Sequence, residues 1–231
     1  MAQVGQDERY TQLCGNSADW KFALGGDSHG RYILASVAGS IGYQRFEGGV
    51  RLAYDYNFAE GGRRVINFQG DPTFNMLRTC EAPIVALHLG GNDLDMRNNN
   101  RPWRSVVRDL LNLFVDLERG GKICYIVALP FRHSRRHQDL QEMQRKIKAI
   151  NRKLKNVLGK RYIPLPSATY HISAFARSRF NGHDEYVHLQ PWAYRLAALQ
   201  VLDRLNEDLQ GQLSPPSGFM ERVNRTIEFF E

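Results

Sequence analysis

Apolar residues in this chain gather in short continuous runs, separated by stretches in which they recur at three- and four-residue steps. The runs at residues 22–24, 65–68, 84–89, 123–129 and 162–165 read as buried strands. Residues 84–89 are bounded by Pro83 and Gly90, and residues 123–129 are closed by Pro130. Unbroken apolar strands fit a parallel sheet covered on both faces, because neither face alternates with polar positions. The stretches between them carry helical stripes. Trp103, Val106, Val107, Leu110, Leu111 and Phe114 form one, starting behind Pro102. Leu140, Met143, Ile147, Ile150, Leu154 and Val157 form a second, with Gly159 as its stop. A third helix opens at Pro191 and is expected to bury Trp192, Leu196, Leu199, Leu202, Leu205 and Leu209. A shorter helix is read around residues 32–37. Residues 44–56 fit neither pattern well, and 51–56 reads as an extra strand or a hairpin.

Alternating strands and helices predict one α/β domain with right-handed crossovers. The chain divides into a polar segment at 1–17, a domain at 18–212, and a linker and tail at 213–231. The break is marked by Ser214, Pro215, Pro216, Ser217 and Gly218. Beyond it lies either a short docking helix or a frayed tail.

Composition narrows the class. With 231 residues, 42% hydrophobic and 24% charged, the chain is globular rather than disordered. No apolar run nears the roughly 20 residues needed to span a bilayer. Residues 1–17 lack an apolar signal core, so an intracellular, cytoplasmic protein is expected. Cys14, Cys80 and Cys124 are odd in number and widely spaced, as reduced thiols are. His29, His133, His137 and His183 lack an obvious third ligand, so no metal site is expected. The net charge is +7, and much of it lies at residues 132–161. The helix in that segment presents Arg145, Lys146, Lys148, Arg152, Lys153 and Lys155 outside its apolar stripe. Such a strip is either a solvated helix face or a surface for nucleic acid or anionic lipid. Aromatic residues do not interleave with it as a single-strand-binding platform requires.

Candidate chemistry lies just after the apolar runs, since ligands of an open parallel sheet bind beyond the carboxyl ends of its strands. Ser28 follows the first run, in Gly25-Gly26-Asp27-Ser28-His29-Gly30. A serine on a glycine turn at a helix start has an outward hydroxyl for attack and a backbone N–H for an oxyanion. Gly70 follows the second run and offers a backbone N–H with no side chain in the way. Asn92 follows the third, and its amide can donate to a developing oxyanion, worth about 3–4 kcal/mol of barrier. His188 precedes the last helix and can take the serine proton. Glu185 and Asp184, three and four residues before it, are the candidate acids that orient it. Taken singly, each of these is equally a turn or capping residue.

In this order, the groups resemble the SGNH (GDSL-type) hydrolase family, over residues 22–209. Gly26-Asp27-Ser28 fits the family's first block, and Gly70 falls where the second block's oxyanion glycine belongs. Gly90-Gly91-Asn92-Asp93 fits the third block, and His188-Leu189 the last. The resemblance implies a three-layer α/β/α sandwich around a mostly parallel five-stranded sheet, of flavodoxin-like type. It implies a serine esterase with Ser28 as nucleophile, His188 as base, and Ser28 N–H, Gly70 and Asn92 as oxyanion hole. It implies no cofactor, and a small acyl ester as substrate. The family usually has Asp-x-x-His, where this chain has Glu185. The other reading is a weakly active or inactive SGNH-like module with a nucleic-acid-binding surface at 132–161, as in retroelement-encoded proteins. Residues 26–30 also fit Gly-x-Ser-x-Gly, but an α/β-hydrolase needs several strands before its nucleophile, and 27 residues precede Ser28.

Overall fold

The structure, a computed structural model, describes residues 20–40, 50–95, 101–133, 140–180, 183–211 and 217–231. Outside them lie the polar segment 1–17 with Cys14, residues 44–49, Arg135, Arg136 and His137, and residues 214–216 of the break.

Five strands form a parallel sheet: β1 (Trp20–Gly26), β2 (Val50–Ala59), β3 (Ile84–His88), β4 (Ile123–Val127) and β5 (Tyr162–Ile163). Their spatial order is β2-β1-β3-β4-β5, so β1 and β3 are central. Strands β3 and β4 are short and wholly buried, as their unbroken apolar runs predict. Helices cover both faces. On one, α1 (Ser28–Ser40) packs against α6 (Pro191–Gly211). On the other, α4 (Trp103–Arg119) packs against α5 (Leu140–Leu158) and the C-terminal α7 (Phe219–Phe229). This is the expected three-layer α/β/α sandwich. Two short helices, α2 (Val65–Phe68) and α3 (Pro72–Thr79), lie between β2 and β3. A two-stranded antiparallel ribbon, β6 (Ser178–Phe180) and β7 (His183–Glu185), stands apart from the main sheet just before α6. No described helix is long and apolar enough to cross a membrane.

Two expectations are corrected. Residues 65–68 are not the second strand but α2. Val65 and Phe68, three residues apart, are buried, while Ile66 is 51% exposed, which is helical spacing. The true second strand is β2, drawn from the stretch that fitted neither pattern, and it is an edge strand with Arg51, Asp55 and Asn57 among its residues. The buried face of α6 is also displaced. It comprises Ala193, Tyr194, Ala197, Ala198, Val201, Leu202 and Leu205, whereas Trp192 and Leu196 are exposed. Alanines let α6 approach α1 closely, which larger side chains on that face would prevent. Of the two readings of the tail beyond the break, the docking helix is the one observed: α7 buries Phe219, Val223 and Ile227. Its Phe219 ring sits edge-on to Phe114 of α4.

Candidate active site

The turn between β1 and α1 is shaped by how close β3 comes. Gly26 has φ +148°, and a Cβ there would lie 2.1 Å from the carbonyl oxygen of His88, so no other residue fits. The next residue, Asp27, donates its backbone N–H to that same oxygen at 3.0 Å. The chain then turns directly into α1, leaving Ser28 at the helix N-terminus, where backbone N–H groups and the helix dipole favour negative charge.

His188 arrives from the far end of the sequence. The ribbon β6–β7 leads into it, and its backbone carbonyl accepts from Ala176 N–H at 2.8 Å. A bridge between Phe175 and Leu189 ties the same segment down. His133 N–H donates to the Tyr186 carbonyl at 3.0 Å, anchoring it to the chain beyond β4. The result is Ser28 Oγ at 3.0 Å from His188 Nε2, between residues 160 apart in sequence. With the imidazole proton on Nδ1, the hydroxyl donates to Nε2. The Tyr32 ring packs edge-on against His188, with ring centroids 5.4 Å apart.

Beneath this pair lies a buried polar cluster absent from the sequence expectations. Asp27 Oδ1 accepts from the backbone N–H of His29 and from Nδ1 of His88, both at 3.0 Å. Burial alone pushes the Asp27 carboxyl up. His88, through its charge and its hydrogen bond, together with His29 and Arg132, outweighs burial and holds the carboxyl well below the usual range. Burial pushes His29 well below its ordinary value despite the opposing pull of Asp27, so the ring is neutral. Burial also raises the Tyr194 phenol, which keeps its proton, and its oxygen is hydrogen-bonded with His29 Nδ1 at 2.9 Å. The His29 ring stands 5.4 Å from His188, centroid to centroid.

Asn92 follows β3 in the turn of glycines 90 and 91. Its orientation is fixed from both ends. Arg132 can only donate, so the atom facing its guanidinium at 2.8 Å is Oδ1; the Arg63 carbonyl can only accept, so the atom facing it at 2.9 Å is Nδ2. Asp93, fully buried, accepts from the N–H groups of Val65 and Ile66 and from Arg101. The Asn92–Asp93 pair thus grips residues 63–66 from across the cleft. Arg63 in turn donates to the Phe58 carbonyl, Glu60, Asp71 and Thr73, which fixes the turn after β2.

A cleft of about 350 Å³ opens over these groups. Ser28, His188 and Asn92 line it, as do Gly61 and Gly62. Gly70 does not. It lies exposed between α2 and α3, because the run it follows is a helix and not the second strand. The glycines that follow the real second strand are Gly61 and Gly62, and a Cβ at Gly61 would lie 3.9 Å from that of Ser28. The sequence signal for them is a Gly-Gly doublet one residue beyond 50–59. Glu185 is in β7 opposite Ser178, and Asp184 is opposite Arg179. Arg132 reached the site without any sequence signal beyond its place at the start of the basic segment. Among the described residues, no group of three or more His, Cys, Asp or Glu side chains is gathered as a metal ion requires.

Sequence comparison is silent: no family model and no curated protein matches the chain. Solved structures do match. A lipolytic G-D-S-L family protein from Veillonella parvula superposes with a TM-score of 0.54 at 18% identity, over 80% of this chain and 97% of that one. A family 3 carbohydrate esterase from Clostridium thermocellum gives 0.54 at 15% identity, over 85% and 100%. The OSK domain of Drosophila Oskar gives 0.55 at 14% identity, over 80% and 88%. The chain therefore has the three-layer fold of the SGNH (GDSL-type) hydrolases.

Proposed function

We propose that this protein is a serine hydrolase that cleaves an ester or related acyl bond through an acyl-enzyme. The observation that carries the proposal is the 3.0 Å separation of Ser28 Oγ and His188 Nε2 at the mouth of the cleft. Ser28 Oγ attacks the carbonyl carbon while its proton passes to His188 Nε2. His188 then gives that proton to the leaving alkoxide. Next it takes one from water, which attacks the acyl-Ser28 carbonyl, and returns it to Ser28 Oγ as the carboxylic acid leaves. Glu185, or Asp184 beside it, supplies the carboxylate that orients His188 and balances its charge. The oxyanion is held by Ser28 N–H at the start of α1, by the Asn92 amide, and by a backbone N–H of Gly61 or Gly62 in the place expected for Gly70. The scheme uses no cofactor. Similarity in fold to carbohydrate and lipolytic esterases supports the reaction class. Ser28→Ala should lower turnover of 4-nitrophenyl acetate by at least about 10⁴-fold with an unchanged far-UV circular dichroism spectrum. Undiminished turnover by that variant would contradict the proposal.

A second reading is favoured by a separate observation. Arg145, Lys148, Arg152 and Lys155, at steps of three and four residues, are all exposed along one face of α5. Such a stripe fits a run of nucleic-acid phosphates. Binding of a single-stranded RNA that weakens steeply with salt, and that is lost when these four become glutamine, supports it. Affinity indifferent to the four substitutions rejects it.

A further inference from the structure

The cleft has an uneven chemistry. Apart from Ser28, His188 and Asn92, the charged lining among the described side chains is Arg31 and Arg132, and none of those is acidic. Its apolar lining is slight, from Val187 and the ring of Tyr32. A site for a long neutral acyl chain would have predominantly apolar walls. Of the two arginines, Arg132 is fixed by burial and a hydrogen bond, and Arg31 rests on a neighbouring ring. Arg132 is only 4% exposed, and its guanidinium lies flat on the Gly91 turn, where a Cβ would come within 2.8 Å of one terminal nitrogen. That nitrogen donates to Asn92 Oδ1, which leaves the guanidinium beside the proposed oxyanion site. On the other side, Arg31 follows Ser28 by one turn of α1 and stacks over the Tyr32 ring, 5.3 Å from its centroid. The same ring packs against His188, so Arg31, Tyr32 and His188 form one wall. A guanidinium is always charged and presents its donors in a fork that matches an oxyacid group.

We propose that Arg31 and Arg132 form a cationic subsite that takes an anionic oxyacid group, a carboxylate, phosphate or sulfate, on the substrate close to its ester bond. The inference rests on the reading of Ser28 as the nucleophile, and it adds the class of substrate. At about 350 Å³, the cleft suits a short acyl group together with such an anion.

The test compares 4-acetoxybenzoate with its neutral methyl ester, each rate divided by its rate of spontaneous hydrolysis. The wild-type protein should favour the anion at least tenfold in kcat/KM, through KM and increasingly so at low salt. Arg31→Gln and Arg132→Gln should each reduce that preference about tenfold, whereas Arg119→Gln, an exposed charge on α4, should leave it unchanged. Binding of the product 4-hydroxybenzoate, followed by NMR, should weaken in the same two variants. Arg31 is exposed, so its replacement does not put folding at stake. No anion preference in the wild-type protein, with product binding indifferent to both substitutions, would overturn the subsite while Ser28-dependent turnover stood. If neither ester turns over, the hydrolase reading fails, and product binding alone then decides for or against the subsite.

Discussion

Replacing Asp93 with alanine removes one carboxylate and strands several donors. Asp93 is fully buried and accepts from Val65 N–H at 2.8 Å, Ile66 N–H at 3.4 Å and an Arg101 guanidinium nitrogen at 2.8 Å. The losses are unequal. Val65 is buried, so its N–H would be left without an acceptor, at a cost of about 1–3 kcal/mol. Ile66 is exposed and its bond is long, so water replaces it cheaply. Arg101 keeps its ion pair with Asp109, so its guanidinium is not abandoned, and the loss there is about 1 kcal/mol. The sum is about 2–4 kcal/mol, a large part of the roughly 5–15 kcal/mol that holds a domain folded. For a chain of this length, that lowers Tm by about 4–16 °C. Asp93→Asn keeps one acceptor oxygen and should cost about half as much. Thermal unfolding followed by circular dichroism measures both. Hydrogen exchange should show residues 63–68 opening first in the alanine variant, because Asp93 is what secures the start of α2 to the Asn92 turn. A Tm within 2 °C of wild type, with unchanged exchange there, would refute the reasoning.

Two further predictions follow from the electrostatics and from the proposed triad. Stability should fall with acid in two windows. The unfolded chain binds a proton at His29 near pH 6.5 that the folded chain refuses, so this contribution is complete above that pH and declines below it, by up to about 1.4 kcal/mol per pH unit. Asp27, depressed in the folded chain, adds a second decline as pH falls below its ordinary value of about 3.8. Denaturant titrations from pH 8 to 3 should show both, and His29→Gln should remove the larger part of the first, leaving the share of His133, whose pKa burial also lowers; a flat profile between pH 7 and 5 contradicts this account of His29. Separately, one of Glu185→Gln and Asp184→Asn should lower kcat by about 10⁴, and the other by less than about tenfold. Kinetics of both variants on 4-nitrophenyl acetate would decide, and two near-normal enzymes would remove the acid from the mechanism.

What the sequence reveals depends on whether a residue works through local or distant contacts. Strands β1, β3 and β4 and helices α4 and α5 are legible because each carries its own signature, a continuous apolar run or a three-four stripe. Edge strand β2 is legible only as an extra strand or hairpin at 51–56, since a strand with one unpaired side tolerates polar residues such as Arg51, Asp55 and Asn57. Val65-Ile-Asn-Phe68 fits strand and helix equally over four residues, and only burial decides between them. The face of α6 is hidden because alanine carries little hydrophobic weight, yet alanine is what close packing on α1 selects. In the site, Ser28, Asn92 and His188 stand at the ends of legible elements and can be found by position. Gly70 inherits the error in the second strand. Arg132 and Tyr194 join the site through partners 40 and 165 residues away, and no local pattern announces them.

The account rests on Ser28 being made nucleophilic by His188. The direct measurement is labelling with a fluorophosphonate, read by intact mass and peptide mapping. The account predicts one adduct, on Ser28, absent from Ser28→Ala and formed far more slowly in His188→Ala. An unlabelled Ser28 under conditions that label a known serine hydrolase, or labelling at the same rate without His188, would contradict it.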